Sequence, residues 1–281
     1  MQFIKPIPFQ EAIDKLGRQT IVTSKLNSQQ WSAVPVALRD NAFFSATIES
    51  LQFLQRSKNF LNDFLTSTRE TIPDKFDAEF NPVTALKAGS RSQFVRDMSR
   101  FAEKEGLGPL DPDLKGTIQD ITSQKRLSLI FDTKTRQSYD FGNWKQGMDP
   151  DILDEFPAQR FIRVMEVKEP RDSHRQYEVA VALKSNLAFW IRINEDFGVP
   201  WGPWGWGCGH DVEDVDRAES EQLGLLAPGQ TVEPAQKSLN DHLQASTANL
   251  DPDLVTFLKQ SFGDQIELAN NPARWTQKPA P

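Results

Sequence analysis

Cysteine is all but missing from this chain of 281 residues: there is one, beside three histidines and two tyrosines. A single thiol excludes an internal disulfide framework and suits a reducing compartment. It also leaves a zinc site of paired Cys and His motifs short of ligands. Cys208-Gly209-His210 is one pair with no matching second pair, and His174 and His242 stand far off in sequence, so no metal is expected. The acids that follow, Asp211, Glu213, Asp214 and Asp216, lack the glycine and distal glutamate of a calcium loop. No uninterrupted apolar run is long enough to span a bilayer. The opening MQFIKPIPFQEAIDK has no apolar stretch of the kind a signal peptide needs.

Catalytic vocabulary is equally sparse. There is neither a GxxxxGK[ST] loop nor a GxGxxG turn leading into a helix. GPWGWGCG is glycine-rich, but its tryptophans would block close approach of a phosphate. Cys208 and His210, two apart, seldom present both side chains to one reacting atom, and no oxyanion donors can be named. No catalytic residue and no cofactor is expected. Charge is uneven: residues 1–130 carry 17 Lys/Arg against 15 Asp/Glu, residues 131–281 carry 15 against 24. An acidic C-terminal half is a poor match to naked nucleic acid, whose binding is largely phosphate neutralisation.

What the chain does have is phenylalanine, 19 of them, and tryptophan, seven. Residues 37–69, ALRDNAFFSATIESLQFLQRSKNFLNDFLTSTR, read as one long amphipathic helix, with Phe44, Ile48, Leu51 and Leu54 at helical spacing. Its five phenylalanines, Phe43, Phe44, Phe53, Phe60 and Phe64, exceed what one helix of a small lobe needs, and are expected to form a partner-binding surface. Ser90 reads as the N-cap of a second helix ending at Gly106, and a third is expected from Thr117 with Ile121, Leu127, Ile130 and Phe131 inside. After Pro157 the period changes: RFIRVMEVKEP alternates like a half-solvated strand, while FWIRIN fits a strand or a helix end. These signals predict an α+β protein with a helical region over 1–116, a compact α+β domain over 117–226, and a linker and tail over 227–281. The tail holds two modest helices near 239–248 and 252–262.

The densest stretch is GVPWGPWGWGCGHDVEDVDRAE, residues 198–219. Trp201, Trp204 and Trp206, stiffened by Pro200 and Pro203, are expected to act as a structural clasp closing over the α+β domain. The acids are expected to start a helix over 211–223, capped by Asp214 or Asp216 and ended by Gly224, since a helix N-terminus favours negative charge.

Taken together, RLSLIFDTKTRQSYDFGNWKQG, then DEFPAQRFIRVMEVKEPRDSH, then LAFW and the aromatic loop resemble the Mu F-like minor head proteins of tailed phages and prophages. Arg163, Pro170, Arg171, His174, Gly198, Pro200, Pro203 and Cys208 match that family's outline, over roughly residues 30–226. The resemblance implies a virion assembly factor at the capsid interior or portal vertex, present in the host cytoplasm during assembly. Its partners would be the portal and other head proteins, with viral DNA met transiently and no membrane. The rival readings are a hydrolase or transferase with its site around Arg163, Arg171, His174 and His210, and a nucleic-acid module using Arg and Trp.

Overall fold

The computed structural model describes residues 9–67, 69–76, 82–86, 89–109, 111–167, 171–235, 244–245, 252–262, 266–268 and 273–275. The protein is α+β, with helices dominant and the strands gathered in small sheets. The chain divides into two compact units, neither continuous in sequence: Met1–Arg18 with Ser50–Tyr139, and Gln19–Glu49 with Asp140–Pro281. The expected boundary near Gly116 is therefore displaced. The helical unit runs on to Tyr139, and the other unit recruits residues 19–49.

The reason lies in the segment expected to be one helix over 37–69. It is a short helix Val36–Asp40, a two-residue strand Ala42–Phe43, and a helix Leu51–Thr66. Asn41 ends the first by donating from its amide to the Ala37 carbonyl at 2.9 Å. Thr47 turns the chain in the left-handed region, at φ 61°. Ser50 then starts the next helix, its hydroxyl accepting from the Phe53 N–H at 3.2 Å. Ala42–Phe43 pairs in parallel with Thr20–Ile21, a demand that helical periodicity does not show.

In the helical unit, Gln10–Arg18, Leu51–Thr66, Arg91–Lys104 and the first part of Gln124–Gln146 bury Leu16, Phe53, Leu54, Leu61, Phe94, Met98, Leu127 and Phe131. Aromatic edges knit them: Phe60 to Phe94 at 5.3 Å, Phe64 to Phe131 at 5.0 Å, and Phe94 to Phe131 at 5.5 Å between ring centroids. Ser90 caps its helix as expected, and Gly106 closes it at φ 66°. The third helix starts at Gln124 rather than Thr117, because Asp120 folds residues 116–122 into a turn. Its carboxylate accepts from the Gly116 N–H at 2.8 Å, the Thr122 N–H at 2.8 Å and the Thr122 hydroxyl at 2.7 Å.

Of the five phenylalanines expected on a partner surface, Phe43, Phe44 and Phe53 are buried in their own units, and Phe60 and Phe64 are half-buried. Phe53 is sealed in the helical core, with Phe60 and Phe64 against its rings. Phe43 and Phe44 are buried in the other unit, where Phe44 stacks on Trp31 at 3.9 Å. The surplus disappears once the segment is divided, because each unit spends its share on its own core.

The α+β unit is built on a three-stranded antiparallel sheet. Ala158–Arg163 is central, between Val181–Leu183 and His210–Val215. FWIRIN lies in the helix Leu187–Ile193, which buries Trp190 and Ile193. The expected helix over 211–223 is corrected: His210–Val215 is an edge strand, and only Arg217–Gln222 is helical. The acids answer basic side chains instead of a helix dipole. Glu213 holds Arg160 at 2.5 Å, and Asp214 holds Lys184 at 2.9 Å and accepts from Gln159 at 3.0 Å. Charged side chains on an edge strand also discourage further strand pairing. Asp216 is the cap, accepting from the Glu219 N–H at 2.8 Å, and Gly224 ends the helix at φ 70°.

The segment after Leu226 is anchored as far as Val232, which packs with Phe141, Trp144, Val199 and Trp201. The helix Pro252–Phe262 is present and sets Leu258 and Phe262 among Val22, Trp31 and Leu38. The helix expected near 239–248 lies almost wholly outside the described residues. No helix among the described residues is long and apolar enough to cross a membrane.

Phe53→Ala should lower stability by about 3–5 kcal/mol in denaturant unfolding, as for a sealed aromatic; a loss under about 1 kcal/mol would place the ring on a surface. Asp120 gives a pH signature. Burial opposes its charge, but the hydrogen bonds from Gly116 and Thr122 overcome it and hold the carboxyl below its ordinary 3.8. The unfolded group titrates higher, so the stabilisation is complete above pH 3.8 and is lost as pH falls through the folded value. Asp120→Asn should destabilise at neutral pH, and its gap to the parent should narrow on acidification. A gap independent of pH would contradict this role.

Candidate functional site

The aromatic loop, the strand that follows it and the turn after Arg171 meet at one point in the α+β unit. Phe161, fully buried on the central strand, supplies the floor. Arg163, two residues on, pairs in register with His210, the first residue of the edge strand. That register lays the His210 ring flat on Phe161, with centroids 4.7 Å apart and planes 7° from parallel. His174 comes from the short helix Asp172–Arg175 and stands edge-on to both, 5.8 Å from Phe161 and 5.4 Å from His210.

Cys208 sits between the two imidazoles. Its Sγ lies 3.3 Å from His174 Nδ1 and 3.3 Å from His210 Nδ1. The outer nitrogens are occupied: His174 Nε2 is 3.1 Å from the Ile193 carbonyl oxygen, and His210 Nε2 is 3.0 Å from Glu178 Oε1. A carbonyl and an ionised carboxylate only accept, so both Nε2 atoms carry the proton and both Nδ1 atoms present lone pairs to sulfur. The cluster is dry, with both histidines 2% and the cysteine 7% exposed.

The charges around it are mutually satisfied. Arg163 donates to Glu178 from both Nε, at 3.0 Å, and Nη2, so one carboxylate serves an arginine and a histidine. The bonds from His210 and Arg163 hold the Glu178 carboxyl below the ordinary carboxylate range. Burial, with His210 and Arg171 adding, lowers the His174 pKa from 6.5 and keeps that ring neutral. Arg171 pairs with Asp196 at 2.6 Å and donates to the Trp206 carbonyl at 3.2 Å, while Asp196 accepts from the Trp206 N–H at 2.9 Å. This clamp draws the loop across the turn.

Two glycines permit the approach. A Cβ at Gly209 would overlap the Met165 carbonyl. Gly209 instead offers its own carbonyl to the N–H groups of Val164 at 2.9 Å and Met165 at 3.0 Å. Gly205, at φ 151°, lets the Arg171 guanidinium lie against the backbone.

Two of the three tryptophans of the loop are buried. Trp204 packs edge-on to Phe161 at 5.5 Å and against Trp190 at 5.5 Å, and Trp201 sits against Trp144 at 4.9 Å and Phe141 at 5.1 Å. Trp206 does not: it is 43% exposed and rests on Phe197 at 4.9 Å. The Arg171–Asp196 clamp takes its backbone, leaving the ring at the rim.

Arg163, Arg171, His174 and His210, named in the sequence as a rival catalytic set, are thus neighbours, but each arginine is neutralised by a carboxylate. Pro170 and His242 lie outside the described residues. Sequence spacing missed the union of His174 with Cys208, and missed Glu178, Asp196 and Phe161 altogether. The available signal was scarcity: two of the chain's three histidines flank this one loop.

Trp204→Ala should cost about 3–5 kcal/mol of stability, whereas Trp206→Ala should cost well under about 1 kcal/mol, both read from denaturant unfolding. Equal losses would contradict the division of the loop into an inner and an outer part.

Compared with models of protein families, with curated proteins and with solved structures, the chain has no match.

Proposed function

We propose that the chain is a minor head protein of a tailed phage or prophage, working through protein contacts at the portal or procapsid interior during head assembly or DNA passage. One observation carries the reading. Of the residues that make up the Mu F-like outline, Arg163, Arg171, His174 and Cys208 are separated by up to 45 positions, yet they belong to one connected cluster. A resemblance resting on scattered residues gains weight when those residues serve one piece of architecture.

The chemistry of the cluster favours an architectural use over turnover. The thiol and both imidazoles are enclosed, and the arginines beside them are held by Glu178 and Asp196 rather than turned to solvent. A nucleophile needs a path for substrate and donors for the developing charge. The excess of acids over residues 131–281 suits a protein partner better than packaged DNA. Phe43, Phe44 and Phe53 are sealed inside and add nothing to a contact surface, while Phe60 and Phe64 keep part of their rings exposed. Apolar groups left for a partner include Val164, Met165, Val179 and Trp206, all exposed in the α+β unit.

The test is co-expression with the portal protein encoded nearest to it, followed by sedimentation of portal rings. The protein should travel with the rings, and Met165→Glu combined with Trp206→Ser should weaken that association about tenfold or more while leaving the fold intact. A protein that neither sediments with portal nor is found in purified heads would overturn the reading.

A further inference from the structure

We propose that His174 Nδ1, Cys208 Sγ and His210 Nδ1 bind one zinc ion, which acts as a structural tie beneath the aromatic loop. The three donor atoms lie within 4.8 Å of one another, and each nitrogen is 3.3 Å from sulfur. A tetrahedral zinc with Zn–S about 2.3 Å and Zn–N about 2.0–2.1 Å sets sulfur and nitrogen about 3.5 Å apart. The two sulfur–nitrogen separations fit a common ion.

Lone-pair bookkeeping points the same way. Ile193 O and Glu178 Oε1 fix a proton on each Nε2, which aims an unprotonated Nδ1 at sulfur from either side. One thiol proton can be shared with one nitrogen at a time. A dication answers both nitrogens and the thiolate together. On coordination the Cys208 proton leaves to solvent, and nothing is oxidised or reduced.

The surroundings are those of a supported metal site. A histidine ligand ordinarily donates its far N–H to a carboxylate or backbone carbonyl, which fixes tautomer and ring direction. Here one histidine has each kind of support, and Glu178 is itself held by Arg163. One thiolate with two imidazoles suits zinc rather than magnesium or calcium, which take oxygen. Three protein donors are one short of a fully protein-ligated site, so the fourth position goes to a single water enclosed with the ion, and burial keeps the ion from serving an open cleft. The ion would join the Asp172–Arg175 turn, the end of the aromatic loop and the first residue of the His210–Val215 strand.

The test uses the full chain, purified without added chelator and dialysed against buffer. Elemental analysis should find one zinc per chain. Replacing zinc with cobalt(II) should give a thiolate-to-metal charge-transfer band in the near ultraviolet and intense visible bands typical of four-coordination. Cys208→Ser should abolish the charge-transfer band. Glu178→Gln keeps all three ligands and should bind zinc about 10–100-fold more weakly, with its circular dichroism unchanged. If Cys208→Ser does not fold, the parent's cobalt spectrum and the Glu178→Gln affinity decide the matter. Parent protein that takes up neither zinc nor cobalt stoichiometrically, or a folded Cys208→Ser with an unaltered cobalt spectrum, would overturn the proposal. Either result leaves the minor-head reading standing, because that is judged by association with portal.

Discussion

Polar donors brought together in a dry interior constrain everything packed around them. At the centre of the α+β unit a sulfur and two imidazole nitrogens converge on one point, and the outer nitrogens are tied to Ile193 and Glu178. Leaving any of these atoms buried without an answering charge or proton would cost more than a typical hydrogen bond gains. The sheet register therefore has to place His210 opposite Arg163, the turn after Arg171 has to deliver His174, and the loop has to return Cys208 between them. Phe161 and Trp204 wall that point off from bulk solvent, and the Arg171–Asp196 pair holds the loop from outside.

This arrangement explains why so much unusual composition falls in one short stretch. Glycine is needed where Gly209 slides beneath the Met165 carbonyl and where Gly205 lies against Arg171. Large aromatics are needed because the sheet has only three strands and offers little area of its own. The acids that follow serve the sheet edge, neutralising Arg160 and Lys184, before Asp216 starts a helix of a turn and a half. An interior that is polar at its heart and aromatic around it specifies one loop conformation more tightly than an oily core would.

Local signals were read well where the interaction is local. Ser90, Gly106, Asp216 and Gly224 cap and end their helices because each acts within one turn. A strand does follow Pro157, but it spans only Ala158–Arg163 and buries Ala158 and Phe161, so the alternation read through Val164 and Val167 does not hold; the helix Pro252–Phe262 showed through its apolar period. Segments decided by distant partners were misread. Ala42–Phe43 is extended because Thr20–Ile21 pairs with it, and residues 211–215 are extended because the central strand needs an edge. The phenylalanine surplus dissolved once Phe43 and Phe44 proved to serve a different unit from Phe53, Phe60 and Phe64. The site was half legible. Cys208 and His210 announced themselves by rarity, whereas His174 is 34 residues away from the sulfur it meets, a separation no spacing motif encodes.

What occupies the meeting point of His174, Cys208 and His210 decides how the loop is held. Zinc X-ray absorption of the purified protein addresses it directly. A zinc bound there gives a first shell with one sulfur at about 2.3 Å and nitrogen or oxygen at about 2.0–2.1 Å. A shell of nitrogen and oxygen alone, or protein carrying no zinc edge after zinc loading, would contradict it.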